Sequence, residues 1–399
     1  HDYFIHLHSI TQNPEMKAWY EKNVEYLKLM GRFDLKKPDV AVTHSWRNDR
    51  VYIPWVTFPS DTGYQNDIGR GDLQEAHFSY VYTSEHELQD HLLDHYKVIV
   101  DNNFHTLNPE DAANLDAWVK AGGTLVLNQR SGRPPYLPAP PWPLADLTGC
   151  TSTVRPLDGN IHFEANPPIL KAYAGKTFAN KGNVIDWQQH GYYADCIALE
   201  PKAPDVAVIA RYDDGKPAIV MRPVGKGRVV VLGSSFSRDS HDTKGYYVGT
   251  HDQSLFYQAL LGDLGAAPVL QSDQDTLWGE RFISNNGSTE MLVLGNQSDT
   301  DTLQNGSATW DLGFAPKRVF DPVTGADLPV KIEGTKVTIS GLTLVPYEMR
   351  YYAVERSNED ALDPLAHWLF RQGQLWAAVS PGRQGGEQDK CWPVQPFGN

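Results

Sequence analysis

The chain has 399 residues, 41% hydrophobic and 21% charged, a globular composition too long for one core, since single cores stop growing near roughly 250–300 residues. Two or three domains are therefore expected. With 35 basic against 49 acidic residues the formal net charge is −14, which disfavours nucleic acid and anionic membrane as partners, and no run of about 18 apolar residues offers a bilayer span.

In chain order, Met16, Tyr20, Val24, Leu27 and Met30 recur at helical spacing between Pro14 and Gly31 and predict an amphipathic helix. Asp39 to Ser45 reads as a short strand. Ser84 with Glu87 three positions on is a capping-box pattern that opens a helix toward His95. A buried strand, Lys97 to Asp101, follows at once. Asn108 as N-cap and Pro109 at the first helical position start a helix with Leu115, Trp118 and Val119 inward, and Gly122-Gly123 stop it. Thr124 to Leu127 is the next strand. Strands alternating with helices at this spacing predict a flavodoxin- or amidotransferase-like α/β domain, with a mainly parallel sheet and helices on both faces. The proline-rich stretch Pro134 to Pro143 interrupts it as a surface loop.

Beyond Thr151 the chain turns to short strands. Val206 to Arg211 and Pro217 to Met221 flank the hairpin signal Asp213-Asp214-Gly215, Arg228 to Leu232 follows, and a helix runs from about His251 to Leu264. From about Pro268 the pattern is almost purely β, with Asn286-Gly287 as a hairpin signal, which predicts a small β-sandwich. A helical period returns through Leu362, Leu365, Trp368, Leu369 and Leu375. The expected division is an N-terminal helical segment over 1–38, an α/β domain over 39–267, a β-sandwich over 268–356, and a helix with a C-terminal connector over 357–399. The start His1-Asp2-Tyr3-Phe4 lacks a basic n-region and an apolar h-region and fits a processed or partial product.

Cys150, Cys196 and Cys391 match neither a zinc ribbon nor a disulfide scaffold, and no cofactor is expected. Glycosidases need two carboxyl groups flanking the scissile bond. Glu85 with Glu87, Asp213 with Asp214, and Asp239 with Asp242 sit in helix-cap or turn contexts, where surface carboxylates cap or solvate. His6 and His8 beside His1 and Asp2 read as an exposed histidine cluster more readily than as a metal site. Ser234-Ser235 lacks the closing glycine of a nucleophile elbow, and Arg70-Gly71-Asp72 reads as a loop and helix cap. Ligand crevices in open α/β sheets form past the carboxyl ends of the strands. That edge carries Trp46, Arg47 and Asn48, then Asn102, Asn103 and His105, then Gln129 and Arg130. An indole, amides and a guanidinium there would suit a carbohydrate. The competing reading is a polar intersubunit or interdomain contact.

The run Tyr96 to Asn102, then Asn108-Pro109-Glu110-Asp111 and Trp118 to Val126, resembles the amidotransferase-like trimerisation domain of family 42 β-galactosidases. Val224 to Gly233 is similar to the last strands of that domain, and Val319 to Gly325 with Leu344 to Glu348 to the small C-terminal domain of such enzymes. The resemblance implies a non-catalytic assembly and active-site-bracing portion of a bacterial glycoside hydrolase. It implies a homo-oligomer, most simply a trimer, and a catalytic barrel preceding this segment; whether the compartment is cytoplasmic, periplasmic or secreted stays open. Active amidotransferases place a nucleophilic cysteine at the turn that here reads Gln129-Arg130-Ser131-Gly132, so amidotransfer chemistry is not expected. The aromatic loop Tyr52 to Tyr64, with Trp55 and Phe58, offers anchors for an interface. The alternative is a stand-alone carbohydrate-binding or scaffold protein, suggested by 11 tryptophans and 19 tyrosines.

Overall fold

The computed structural model describes residues 13–47, 73–90, 92–102, 104–133, 141–155, 160–178, 196–234, 251–284, 287–298 and 300–356. The readings placed on His1 to His8, Asn48, Tyr52 to Tyr64, Arg70 to Asp72, Asn103, Pro134 to Pro140, Ser235, Asp239, Asp242, Asn286 and residues 357–399 lie outside the described residues.

Helix α1 (Pro14–Met30) begins where Asn13 accepts hydrogen bonds from the amides of Glu15 (2.9 Å) and Met16 (3.1 Å), satisfying donors that have no partner in the first turn. Its packed face only partly matches the expected one: Met30 packs on the sandwich beside Leu29 and Tyr26. Met16 is 42% exposed, and the polar contacts come from Trp19, Asn23 and Tyr26. The Trp19 indole donates to the Tyr347 carbonyl (3.2 Å), Asn23 is buried with its amide on the Trp19 carbonyl (2.8 Å), and the Tyr26 hydroxyl donates to Asp321 (2.9 Å). Tyr26 also stacks on Tyr351 with centroids 4.4 Å apart. Polar-tipped side chains whose hydrogen bonds are met fix this face, and hydrophobic periodicity gives them no weight. β1 (Phe33–Leu35) then pairs antiparallel with the strand Leu277–Ser284, so the first described segment packs with the C-terminal sandwich.

The α/β domain follows: β2 (Val40–Thr43), β3 (Tyr80–Thr83), α2 (Glu85–Gln89), β4 (Val98–Val100), α3 (Pro109–Ala121), β5 (Thr124–Leu127), α4 (Ala145–Thr148), β6 (Cys150–Arg155), β7 (Ile161–Phe163), β8 (Thr177–Phe178), β9 (Cys196–Pro201), β10 (Ala207–Tyr212), β11 (Pro217–Val224), β12 (Gly227–Leu232) and α5 (His251–Asp263). Nine strands form one sheet in the order β3-β2-β4-β5-β12-β11-β10-β7-β8. The pairings from β3 to β12 are parallel and those from β12 to β8 antiparallel, so the sheet is mixed and not mainly parallel. The cause is local: Gly225-Lys226 joins β11 to β12 in a tight hairpin, and two-residue hairpins connect only antiparallel neighbours.

Strand alternation divides the buried residues between two cores. Val40, Val42, Val98, Val100 and Val230 pack with Phe256, Leu260 and Leu261 of α5, while Ala41, Ile99, Leu125 and Val231 pack with Leu115, Trp118 and Val119 of α3. The double glycine after α3 is a steric requirement. Gly122 has φ +135°, and a Cβ on Gly123 would lie 2.4 Å from the Trp118 ring, so a side chain there would displace the indole.

The sandwich comprises β13 (Leu277–Ser284), β14 (Thr289–Asn296), β15 (Leu303–Asp311), β16 (Arg318–Phe320), β17 (Lys331–Glu333), β18 (Lys336–Leu344) and β19 (Met349–Glu355). A five-stranded sheet, β1-β13-β14-β19-β16, and a three-stranded one, β15-β18-β17, enclose a core around Trp310, Leu292, Leu294, Val337, Leu344 and Val354. Inside it Glu290 is fully buried and meets Lys36 (3.1 Å), Arg281 (2.6 Å) and Arg356 (3.1 Å). Among the described residues no helix is long and apolar enough to cross a membrane.

Candidate functional site

In the parallel half of the sheet the chain runs from β2 outward to β3 and returns on the other side as β4. The segments leaving β2 and β4 therefore diverge, which is where open α/β sheets form ligand crevices. The six candidates among the described residues, Trp46, Arg47, Asn102, His105, Gln129 and Arg130, follow β2, β4 and β5 at this edge.

The centre of the edge is a closed polar knot on Asp101, which is buried at the end of β4. Its carboxylate accepts the Thr43 hydroxyl (2.6 Å), the Phe104 amide (2.8 Å) and the Ser131 hydroxyl. Thr43 in turn accepts the Asn102 amide (2.8 Å), and Ser131 accepts the Asn128 amide (2.9 Å). The Asn128 side-chain amide spans the gap to the carbonyls of Asp101 (2.9 Å) and Asn102 (3.3 Å). The ends of β2, β4 and β5 are thereby tied through side chains, as required where backbone partners run out.

A second carboxylate, Glu85 at the start of α2, organises the segment after β2. It accepts the Ser45 hydroxyl and the amides of Trp46 (3.1 Å) and Arg47 (3.0 Å). Arg47 then pairs with the buried Asp111, which also caps the start of α3 by accepting the Asn108 amide (3.2 Å). Glu87 takes the expected capping role, accepting the Ser84 amide at 2.8 Å, but both glutamates are buried where surface carboxylates were expected. Burial pushes the Glu87 carboxyl above its ordinary range. Asp213 is exposed and bonded to His162 (2.5 Å) and the Asn160 amide (2.7 Å), with a lowered pKa from those bonds.

The six candidates thus fall into two groups. Asn102, His105 and Gln129 are buried. Burial, and secondarily the Arg130 charge, pushes the His105 imidazole down to about 3, so it is neutral at any ordinary pH. The Gln129 side-chain oxygen has no hydrogen-bond partner among the described residues. Arg47 and Arg130 are half-buried, and Trp46 is 54% exposed. Trp46 lies edge-on to His44 (5.6 Å), which lies edge-on to Tyr82 (6.0 Å), itself 42% exposed on β3 at the border of the sheet. Sequence reasoning missed His44 and Tyr82; the alternation of Tyr80 and Tyr82 on a border strand was the available signal.

Neither serine at the strand ends is placed to react. Ser131 stands in the turn after β5, but it is fully buried and donates to Asp101. Ser234 is buried too, and accepts the Cys196 thiol at 3.2 Å. Among the described residues no group of three His, Cys, Asp or Glu side chains could hold a metal ion.

The sequence model of the β-galactosidase trimerisation domain matches residues 39–271, more than half of the chain. No curated protein matches. Among solved structures the fold is similar to a cold-adapted β-galactosidase from Rahnella sp. R3 (TM-score 0.55, 16% identity, 86% of this chain and 44% of that one). It is also similar to a β-galactosidase from Bacillus circulans sp. alkalophilus (0.50, 19%, 81% and 42%) and to α-L-fucosidase isoenzyme 2 from Paenibacillus thiaminolyticus (0.56, 16%, 85% and 51%). The chain spans 41–44% of the length of the β-galactosidases it resembles. With a mixed sheet that the family model covers from β2 through α5, the chain belongs to the β-galactosidase trimerisation domain family.

Proposed function

We propose that this chain is the assembly and active-site-bracing portion of a bacterial glycoside hydrolase of β-galactosidase type, working alongside a catalytic barrel that precedes it in the parent enzyme. The carrying observation is the closed knot at the sheet edge. Asp101, Ser131 and Thr43 spend their polar groups on one another, which favours a rigid presenting surface over a reacting one. The parallel strand order β3-β2-β4-β5-β12 supports reading that half as a flavodoxin-like layer.

On this reading the domain forms a homotrimer, with the aromatic row Trp46, His44 and Tyr82 at the interface. Exposed rings on a border strand are the anchors that interface centres favour. Charge reversal there tests the placement: Trp46→Asp with Tyr82→Asp dissociates the assembly while leaving the fold intact, whereas an oligomer indifferent to both substitutions rejects it. The chain alone hydrolyses no nitrophenyl glycoside. Robust turnover abolished by a single acidic-residue substitution would overturn the assembly reading.

The exposure of Trp46 also favours a second reading, a carbohydrate-binding surface in which Trp46 stacks on a sugar face while Arg47 and Arg130 reach its hydroxyls, with Asn102, His105 and Gln129 behind them. Calorimetric binding of galactose-containing oligosaccharides, lost on Trp46→Ala, would support it. Absence of heat with an unchanged fold would exclude it.

A further inference from the structure

The molecule is built as two units, one containing α1, β1 and the sandwich and the other the nine-stranded sheet, and the seam between them has an unusual composition. The Val269 amide donates to the His77 carbonyl (2.7 Å), and the Ala267 amide to the Asp39 carboxylate (3.1 Å). Beside them the Ser79 hydroxyl donates to Glu280 of β13 at 2.5 Å. Ser79 and Glu280 are both buried, as is His77, a non-glycine residue held at φ +62°. That left-handed conformation is one a β-carbon disfavours and a tightly determined junction sustains.

Glu280 alternates onto the sheet face of Trp278 and Phe282, opposite the face that carries Arg281 and the buried Glu290. The salt-bridged cations around Glu290 therefore lie on the far side of the sheet. The near side is packed by Tyr26, Leu29 and Met30 of α1 and by Tyr351 of β19, and at the seam the His77 ring meets the backbone of Ser272 and Leu277 and the carboxylate of Asp275. Among the described residues, burial and the Ser79 hydroxyl are what act on Glu280. A buried carboxyl with one neutral partner has no charge to compensate its ionised form, and isolated buried charges are strongly disfavoured.

We propose that Glu280, buried at its contact with Ser79, is a protonation-controlled clasp between the α/β domain and the sandwich: the seam is closed while Glu280 holds its proton and loosens when the carboxyl ionises, because the burial penalty on the carboxylate exceeds what the Ser79 hydrogen bond returns. The ionised form gains solvation by parting the two units along the linker from Ala267 to Thr276. Burial raises the Glu280 carboxyl from 4.5 to about 8, and the Ser79 hydrogen bond lowers it less. The folded state therefore keeps a proton that the opened state releases. The stability of the closed seam is complete below about pH 4.5 and is lost progressively as pH rises toward about 8. Because α1 and β1 travel with the sandwich, opening would also shift the path by which the chain enters the α/β domain.

Hydrogen exchange of the Val269 amide, corrected for intrinsic base catalysis, reports this opening directly. Across the window each pH unit should raise the opening equilibrium of the natural chain by up to about tenfold, with a plateau above the window. Glu280→Gln, which keeps the shape and cannot ionise, should give a flat profile. Ser79→Ala removes the bond that favours the charged form, so it should move the plateau to higher pH and provides an independent reading if the glutamine variant fails to fold. Parallel profiles for the natural chain and Glu280→Gln, or a plateau that Ser79→Ala leaves in place, would overturn the proposal.

Discussion

Removing the Asp101 carboxylate should collapse the strand-end edge more than any single exposed substitution there. In Asp101→Ala the Thr43 hydroxyl, the Ser131 hydroxyl and the Phe104 amide lose their acceptor, and each buried unsatisfied group costs about 1–3 kcal/mol. Allowing for rotation of the two hydroxyls and entry of water, we expect a loss of about 3–5 kcal/mol. Asp101→Asn is the control. It preserves the oxygen that serves Thr43 and Phe104 but turns a donor toward Ser131, so the loss should be about 1–2 kcal/mol. Two separate cores make a single unfolding curve ambiguous. The measurement is therefore urea dependence of exchange protection at the Val126 and Leu127 amides, inside the sheet. If Asp101→Ala costs less than about 1 kcal/mol, near the net worth of one ordinary hydrogen bond, the carboxylate is not what closes this edge.

Trp310 is fully buried between the two sheets of the sandwich, and Trp310→Ala should cost about 3–5 kcal/mol, seen as loss of protection in β14 and β18 with the α/β domain unaffected. A Cβ on Gly227 would lie 2.1 Å from the Gly123 carbonyl oxygen and 2.2 Å from that of Val119; since backbone must move, Gly227→Ala should lower the midpoint of thermal unfolding by several degrees, on the order of 2 kcal/mol or more. Glu290→Gln leaves Lys36, Arg281 and Arg356 without their carboxylate and should cost about 3–5 kcal/mol in chemical denaturation. Burial pushes the Lys36 ammonium down from 10.5 to about 8. The unfolded chain holds that proton longer, so stability should rise between about pH 8 and 10.5, and Lys36→Met should remove that rise.

The legible parts of this fold were those set by local chemistry. Asn108-Pro109 and Ser84 with Glu87 start α3 and α2 because caps act within four residues, and the β-branched and leucine runs of β4 and β5 are buried on both faces. Long-range consequences were not legible. The face of α1 is chosen by Tyr351, Asp321 and the Tyr347 carbonyl, more than 290 residues away, and no periodicity in Pro14 to Met30 encodes those partners. The site shows the same limit. Its six candidates were chosen for polar or aromatic type at strand ends, yet Asp101, Glu85 and Asp111 organise the edge because each meets several donors from different strands or helices. Spacing along the chain cannot reveal such convergence.

Sedimentation equilibrium of the full 399-residue chain at micromolar concentration tests the assembly role most directly. The account predicts a mass close to three chains, falling to one chain on Trp46→Asp with Tyr82→Asp. A monomeric mass for the unaltered chain across that concentration range would contradict it.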